Sequence, residues 1–446
     1  MNQYQVSKYQ HFFFMGLFCL MPALVFAQKQ QPDTLLKEVT LKTAVEYAVK
    51  RQPLIQQSIV DEQITAIRIK SRLAEWYPQV NFNYNIQHNF VLQKNLIAGN
   101  LVTFGQNNTS GGQFNASQYI FNRDLLLAKR TSVDVRLQAQ QETASDKIDL
   151  VVNVSKAFYD ILATSQQIKV AEENITRIER SLEDAYNQFQ AGLTDKTDYK
   201  RATITLNNSR ASLRSNGELL KAKKEYLKAL MNYPEKDTLN IVYDTLQMER
   251  EIGMDTAQTA DYKSRIEYRI LETQSRLLQA NIQYNKWAYL PVLSANGAYN
   301  LNFQNNDFAK LYNTNYPNSY IALTLGFPIF QGGKRKYNIQ EAQLQLKRNE
   351  WAIVILKNSV NSVYAQALAG YRANLENYTA LKENVSLAKE VYDVIRLQYR
   401  SGIKTYLEVI SSETDLRTAQ INYYTAIYAL LSSKLDVLKA LGQISY

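Results

Sequence analysis

Residues 168–200 read IKVAEENITRIERSLEDAYNQFQAGLTDKTDYK, and residues 378–410 read YTALKENVSLAKEVYDVIRLQYRSGIKTYLEVI. In the first stretch Ile168, Ala171, Ile175, Ile178, Leu182, Ala185 and Phe189 follow alternating spacings of three and four. In the second, Tyr378, Leu381, Val385, Ala388, Tyr392, Ile395 and Tyr399 repeat the pattern 210 positions later. The match runs on through Gly192 and Gly402 into a second seam, where Tyr199, Leu206, Leu213, Leu220 and Leu227 correspond to Val409, Leu416, Tyr423, Leu430 and Val437. Seven-residue spacing on both sides of a glycine predicts a helix, a tight turn and an antiparallel helix packed along a narrow seam. The chain is therefore a duplicated unit, each half holding one long coiled-coil hairpin.

Outward from the turns, residues 122–191 contain neither Gly nor Pro, and 334–401 contain only Gly370. At about 1.5 Å per residue each ascending helix reaches roughly 100 Å, far beyond the needs of a globular core. Helices of that kind serve a structural coiled coil as well as a conduit, and the strands separate the two. Val80-Asn81-Phe82-Asn83-Tyr84-Asn85-Ile86-Gln87 alternates apolar residues with amides. Leu293, Ala295, Tyr299, Leu301 and Phe303 alternate with Ser294, Asn296, Asn300 and Asn302, and Ile321, Leu323, Leu325 and Phe327 with Ala322, Thr324 and Gly326. A further segment, Gln113 to Phe121, alternates less cleanly. Period two gives each strand one apolar and one polar face, which suits lipid outside and water inside a transmembrane barrel better than half of a soluble sandwich. Four strands cannot close a barrel, since about eight are needed, so two, three or four copies must contribute to one. The Asn-rich stretches 88–112 and 304–318 are expected to be loops between paired strands.

The first 27 residues carry Lys8, an apolar run from Phe12 and an ending Leu24-Val25-Phe26-Ala27, the plan of a secretory signal peptide. The only cysteine, Cys19, lies within it behind Phe18, where a lipid acceptor follows a small residue. Without that leader the chain has no thiol and a single histidine, His88, which argues against disulfides, cysteine nucleophiles and Cys/His zinc sites, and no cofactor is expected. The net charge of +10 is spread among acids and forms no basic block of the kind nucleic acid requires. Residues 28–36 read as a leader, 28–231 and 263–446 as two structural repeats, and 232–262, with Pro234 and Gly253, as a linker expected to pack around the middle of the hairpins.

Four stretches resemble the TolC-like outer-membrane efflux family, and their span covers most of the chain. Leu41-Lys42-Thr43-Ala44-Val45-Glu46-Tyr47-Ala48 with Arg51-Gln52-Pro53 is similar to its opening helix. Trp76-Tyr77-Pro78-Gln79-Val80 and Tyr289-Leu290-Pro291-Val292-Leu293 resemble its helix-to-strand entries, where Pro ends one element and starts the next. Phe327-Pro328-Ile329-Phe330-Gln331-Gly332-Gly333-Lys334-Arg335 resembles its strand-to-helix exit, while the first-half equivalent Tyr119-Ile120-Phe121-Asn122-Arg123 lacks the glycines. The turns Phe189-Gln190-Ala191-Gly192-Leu193-Thr194 and Tyr399-Arg400-Ser401-Gly402-Ile403-Lys404 resemble its hairpin tips.

The resemblance implies a mostly α protein with a β-barrel contribution: four transmembrane strands per protomer, a homotrimer with a 12-stranded barrel in outer-membrane lipid, and a helical tunnel in the periplasm. It implies export of small molecules or proteins delivered by an inner-membrane efflux pump through a periplasmic adaptor, and no enzymatic activity. Glu408 falls at the position of an acidic ring at the tunnel constriction, where close carboxylates favour cations and repel one another. The family's second acidic position, one turn on, is Ser411 here, which argues against a two-tier acidic gate. Tyr399 and Lys404 match positions that latch onto the first hairpin, where Thr197 and Asp198 stand. At the tips, Gly192 and Gly402 permit the positive φ of a tight turn, and Leu193, Thr194 and Ile403 are candidates for adaptor docking.

Three other readings are weaker. An adaptor usually has one hairpin flanked by small β domains, and a secreted structural coiled coil needs no amide-lined strands placed symmetrically in both halves. A carboxylate hydrolase needs paired acids above a sheet, whereas Glu172 and Glu173 fall within a heptad helix. No nucleotide-binding, nucleophile-elbow or zinc-protease motif is present.

Overall fold

The computed structural model describes residues 36–243 and 245–446. The expected signal peptide, with Cys19 and most of the leader that follows it, lies outside them. Each half opens with helices, passes through strands and ends in a hairpin. In the first half α1 (Leu41–Arg51) and α2 (Pro53–Ala74) lead to β1 (Gln79–His88), the small strands β2 (Gln93–Ile97) and β3 (Asn100–Phe104), and β4 (Asn108–Phe121). The hairpin is α3 (Arg123–Gln190) and α4 (Lys196–Met231). After α5 (Thr245–Glu251), the second half runs α6 (Ile266–Lys286), β5 (Val292–Asn305), β6 (Asn318–Gly326), α7 (Lys334–Arg400) and α8 (Tyr406–Leu441).

Local chemistry sets these boundaries. Gln52 caps α2, with Pro53 at the first helical position, where its missing N–H costs nothing. The Asn122 side chain accepts the Asp124 N–H at 2.7 Å and starts α3 directly behind β4. Gly332 and Gly333 take φ of 55° and 80° ahead of α7. At 68 and 67 residues, α3 and α7 each extend about 100 Å, with the sheet at one end and a hairpin turn at the other. No helix among the described residues is long and apolar enough to cross a membrane.

The four long strands form one antiparallel sheet in the order β1-β4-β5-β6. Its register aligns the amides: Asn81 lies opposite Asn115, Asn83 opposite Gln113, Gln113 opposite Asn300, and Asn300 opposite Asn318. On the other face Phe82 opposes Phe114, Phe114 opposes Tyr299, and Leu293 opposes Leu325. Ile321 and Leu323 on that face are 91% and 72% exposed, so nothing among the described residues covers them. Among the described residues the outer edges of β1 and β6 are unpaired.

Two details depart from the sequence reading. The stretch 88–112 is not one loop: it contains the β2–β3 hairpin, turning at Ala98 and Gly99 with positive φ at both, and β4 begins within it at Asn108. The poor alternation of β4 has a cause at each end. Near its start Gly111 contributes no side chain, and a Cβ there would come within 2.9 Å of Asn85 Oδ1. At its other end the register slips between Tyr119 and Phe121.

Behind the sheet, α2 packs on α3 and α6 on both α3 and α7, while α3 also meets α8, so the two halves share one helical core. The segment between the halves binds the middle of the second hairpin. Tyr371 of α7 donates to the Ile252 carbonyl at 2.9 Å, and Glu249 accepts from Lys382 of α7 and Tyr423 of α8 at 3.0 and 2.5 Å.

Candidate functional site at the hairpin tips

The two tips are built alike. Beyond α3, Gly192 takes φ +72° and the Leu193 N–H returns to the Gln188 carbonyl at 2.9 Å. Beyond α7, Gly402 takes φ +74° and the Ile403 N–H returns to Gln398 at 2.9 Å. These are left-handed C-terminal caps, for which glycine carries no Cβ penalty. Leu193 and Ile403 project 75% and 71% exposed. The hydroxyl of Thr194 is enclosed without a hydrogen-bond partner among the described residues.

The descending helices start differently. Asp195 caps α4 by accepting the Thr197 N–H at 2.5 Å. In α8 the Glu408 carboxylate takes on this work: it accepts from the Thr405 N–H at 2.9 Å, the Thr405 hydroxyl at 3.1 Å and Lys404 Nζ at 2.6 Å. Lys404 and the Thr405 N–H hold its carboxyl down to about 2. Glu408 is thus a carboxylate tied back into its own turn. Ser411 lies exposed one turn further along.

Just behind the tips four helices share one core. Ala185 of α3, Ala202 of α4, Tyr392 and Tyr399 of α7, and Tyr406, Val409 and Leu416 of α8 are all buried together. Tyr399 sits inside this core, its ring 5.8 Å from that of Tyr406. Its hydroxyl donates to Gln188 Oε1 of the first hairpin at 3.0 Å. Burial, reinforced by Asp198 and Asp184, pushes that phenol up to about 12. Arg400 reaches Asp184 at 3.6 Å beside it.

Among the residues singled out by sequence, the structure brings Lys404 and Glu408 together and sets Tyr399 near Asp198. Within the protomer Tyr399 bonds Gln188, and Lys404 bonds Glu408, in place of Asp198 and Thr197. Thr197 is exposed, and Asp198, half-buried, has its carboxyl raised by burial and then by Asp195.

Glu413 was not identified from the sequence, although it is 4% exposed inside the same joint. Its signal is a second seven-residue seam, Tyr406, Glu413, Gln420 and Ile427, in which a carboxylate occupies a core position.

A duplicated strand-pair-and-hairpin chain, with an open two-faced sheet at one end and paired helical tips at the other, has the form of a channel protomer. The family model described as outer membrane efflux protein matches residues 44–232 and 269–443. The chain belongs to that family, whose members lie in the outer membrane. It is 24% identical over 350 residues to the outer membrane protein TolC of Vibrio cholerae, spanning 74% of this chain and 76% of that one. To TolC of Escherichia coli it is 20% identical over 443 residues, 96% of this chain and 87% of the other. Its fold matches the open-state crystal structure of the Neisseria gonorrhoeae MtrE outer membrane channel at a TM-score of 0.70, with 17% identity, over 90% of this chain and 88% of that one.

Proposed function

We propose that the chain is the outer-membrane channel of a tripartite export system, working as a homotrimer whose sheets close one 12-stranded barrel and whose hairpins form a periplasmic tunnel. The observation that carries this reading is the open sheet: four long strands, two unpaired edges, an amide face and an uncovered apolar face. An edge of that length invites pairing with another strand, and a symmetric ring of copies satisfies every edge at once. The helices support the same assembly. Tyr337, Leu344 and Trp351 stand exposed at seven-residue spacing on α7, a seam without a partner among the described residues. The choice of three copies follows the family resemblance.

In this reading residues 28–231 and 263–446 are the two repeats and 232–262 is a belt around the tunnel. The amide face lines the barrel and the apolar face meets outer-membrane lipid. Gly192, Leu193, Thr194, Gly402 and Ile403 receive a periplasmic adaptor that joins the channel to an inner-membrane pump. Glu408 and Ser411 face the constriction. There Glu408 acts as a carboxylate partly balanced by Lys404, a milder cation filter than a bare acidic ring. Tyr399 ties the tips together through Gln188 with Asp198 acting on it by charge, and Lys404 and Thr197 stand beside it to add contacts worth about 1 kcal/mol or less each, as suits a joint that opens. The cargo, small molecules or proteins, is set by the pump.

The test is extraction of the outer membrane in mild detergent, followed by native mass measurement. Three copies per particle are expected. A monomer recovered from the soluble periplasmic fraction contradicts the proposal.

A further inference from the structure

Glu413 lies on the buried face of α8, between Val409 and Leu416 and seven residues beyond Tyr406. Its Oε1 stands 3.7 Å from Arg177 Nε of α3, too far for a hydrogen bond. Neither atom has another hydrogen-bond partner among the described residues, and Gln420 Oε1, seven residues on, is likewise enclosed and unpartnered. The charged and titratable groups facing Glu413 are Arg177 of α3, Tyr392 and Arg396 of α7, and Tyr406 and Arg417 of its own helix. The remaining helix of the joint, α4, adds none to that set.

A buried carboxylate is tolerated when its pair closes and its remaining lone pairs are bonded. Here the pair does not close. A neutral carboxyl fits the gap as it stands, whereas a carboxylate must draw Arg177 in by about an ångström or admit water. Burial outweighs the three arginines and raises the group to about 7.

We propose that Glu413 and Arg177 form a proton-operated clasp between the two hairpins, in which protonated Glu413 keeps α3 and α8 packed and ionised Glu413 makes the joint hydrate and the tips part. The sign follows from linkage. The packed joint binds the proton more tightly than an opened one, so packing is favoured below the ordinary carboxyl value of 4.5 and loses that favour as pH rises through about 7. The clasp rests on the proposed channel reading only for its consequence in transport, because the contact lies within one protomer.

The chain's only cysteine, Cys19, lies in the leader, so Leu193→Cys and Ile403→Cys place spin labels on the two exposed tips. Labelled chains diluted into unlabelled ones report the tip-to-tip distance within one protomer by dipolar spectroscopy. Across about pH 5 to 9 the otherwise unaltered chain is expected to shift from a short to a longer distance with its midpoint near 7. Glu413→Gln should hold the short distance throughout. Arg177→Gln, which removes the nearest cation, should move the midpoint up by about one pH unit. A distance that does not change with pH in the otherwise unaltered chain overturns the clasp even if Glu413→Gln fails to fold, and so does a Glu413→Gln curve that follows the same midpoint. The readout needs no conduction, so a chain that conducts nothing would overturn the channel reading and leave this test intact.

Discussion

The Tyr399 hydroxyl donates to Gln188 Oε1 at 3.0 Å and ties the last turn of α7 to the last turn of α3. The ring beneath it is core, and the hydroxyl is a tie between hairpins, so the two parts separate by substitution. Tyr399→Phe keeps the ring and removes one hydrogen bond, a loss of about 1 kcal/mol. Tyr399→Ala also empties the space next to Tyr406 and should cost about 3 kcal/mol or more, read as the difference in denaturant midpoints.

Asp198 acts on the same phenol by its charge. Asp198→Asn should lower the pH at which Tyr399 ionises, measured by ultraviolet absorbance of Tyr399 against a Tyr399→Phe blank. An unchanged ionisation would remove Asp198 from the tip joint.

Glu408 makes the opposite pH prediction from Glu413. Its carboxyl is depressed, so the stability it lends the start of α8 is fully present above the ordinary value of 4.5 and is lost as pH falls through about 2. Amide exchange at Thr405 should therefore be protected equally at neutral and mildly acidic pH. Lys404→Ala should bring the carboxyl back toward its ordinary value, followed by carboxyl NMR.

At the tips, a Cβ on Gly192 or Gly402 would meet nothing within 4 Å, so only the backbone opposes substitution. Gly192→Ala and Gly402→Ala should each cost about 1 kcal/mol through the left-handed φ, seen as faster amide exchange in the two tip turns with the distant sheet unaffected.

The uncovered face of β6 predicts an asymmetry in the sheet. Leu323→Arg puts a charge on that uncovered face, which the proposed barrel turns toward lipid, and should cost about 2–4 kcal/mol near the bilayer midplane and abolish membrane assembly. Asn296→Ala on the amide face should assemble normally, with changed conductance as its only trace.

Much of this molecule can be read from local pattern, and the limits of that reading are physical. The seams through Ile178, Leu182, Val409 and Leu416 repeat over enough turns that helix, partner face and turn position all follow. The paired strands of Val80 and Leu293 reveal themselves because apolar residues and amides alternate along each, and the register keeps each kind on one face. The β2–β3 hairpin is hidden because Leu96, Ile97, Leu101 and Val102 sit in a polar stretch with no buried face to impose alternation. Gln188 and Arg177 are hidden for another reason. Each is an ordinary polar residue on a helix, and only the packing of the first hairpin against the second makes one a hydrogen-bond partner and the other half of an unclosed ion pair.

If copies of this open sheet close into a water-filled conduit, single-channel recording of the purified protein in a planar bilayer should show it. Discrete, long-lived conductance steps that are cation-selective are expected, with the selectivity reduced in Glu408→Ala. A folded, assembled protein that inserts and yields no steps, or that conducts with no preference between cations and anions before and after Glu408→Ala, would contradict the conduit in the first case and its acidic constriction in the second.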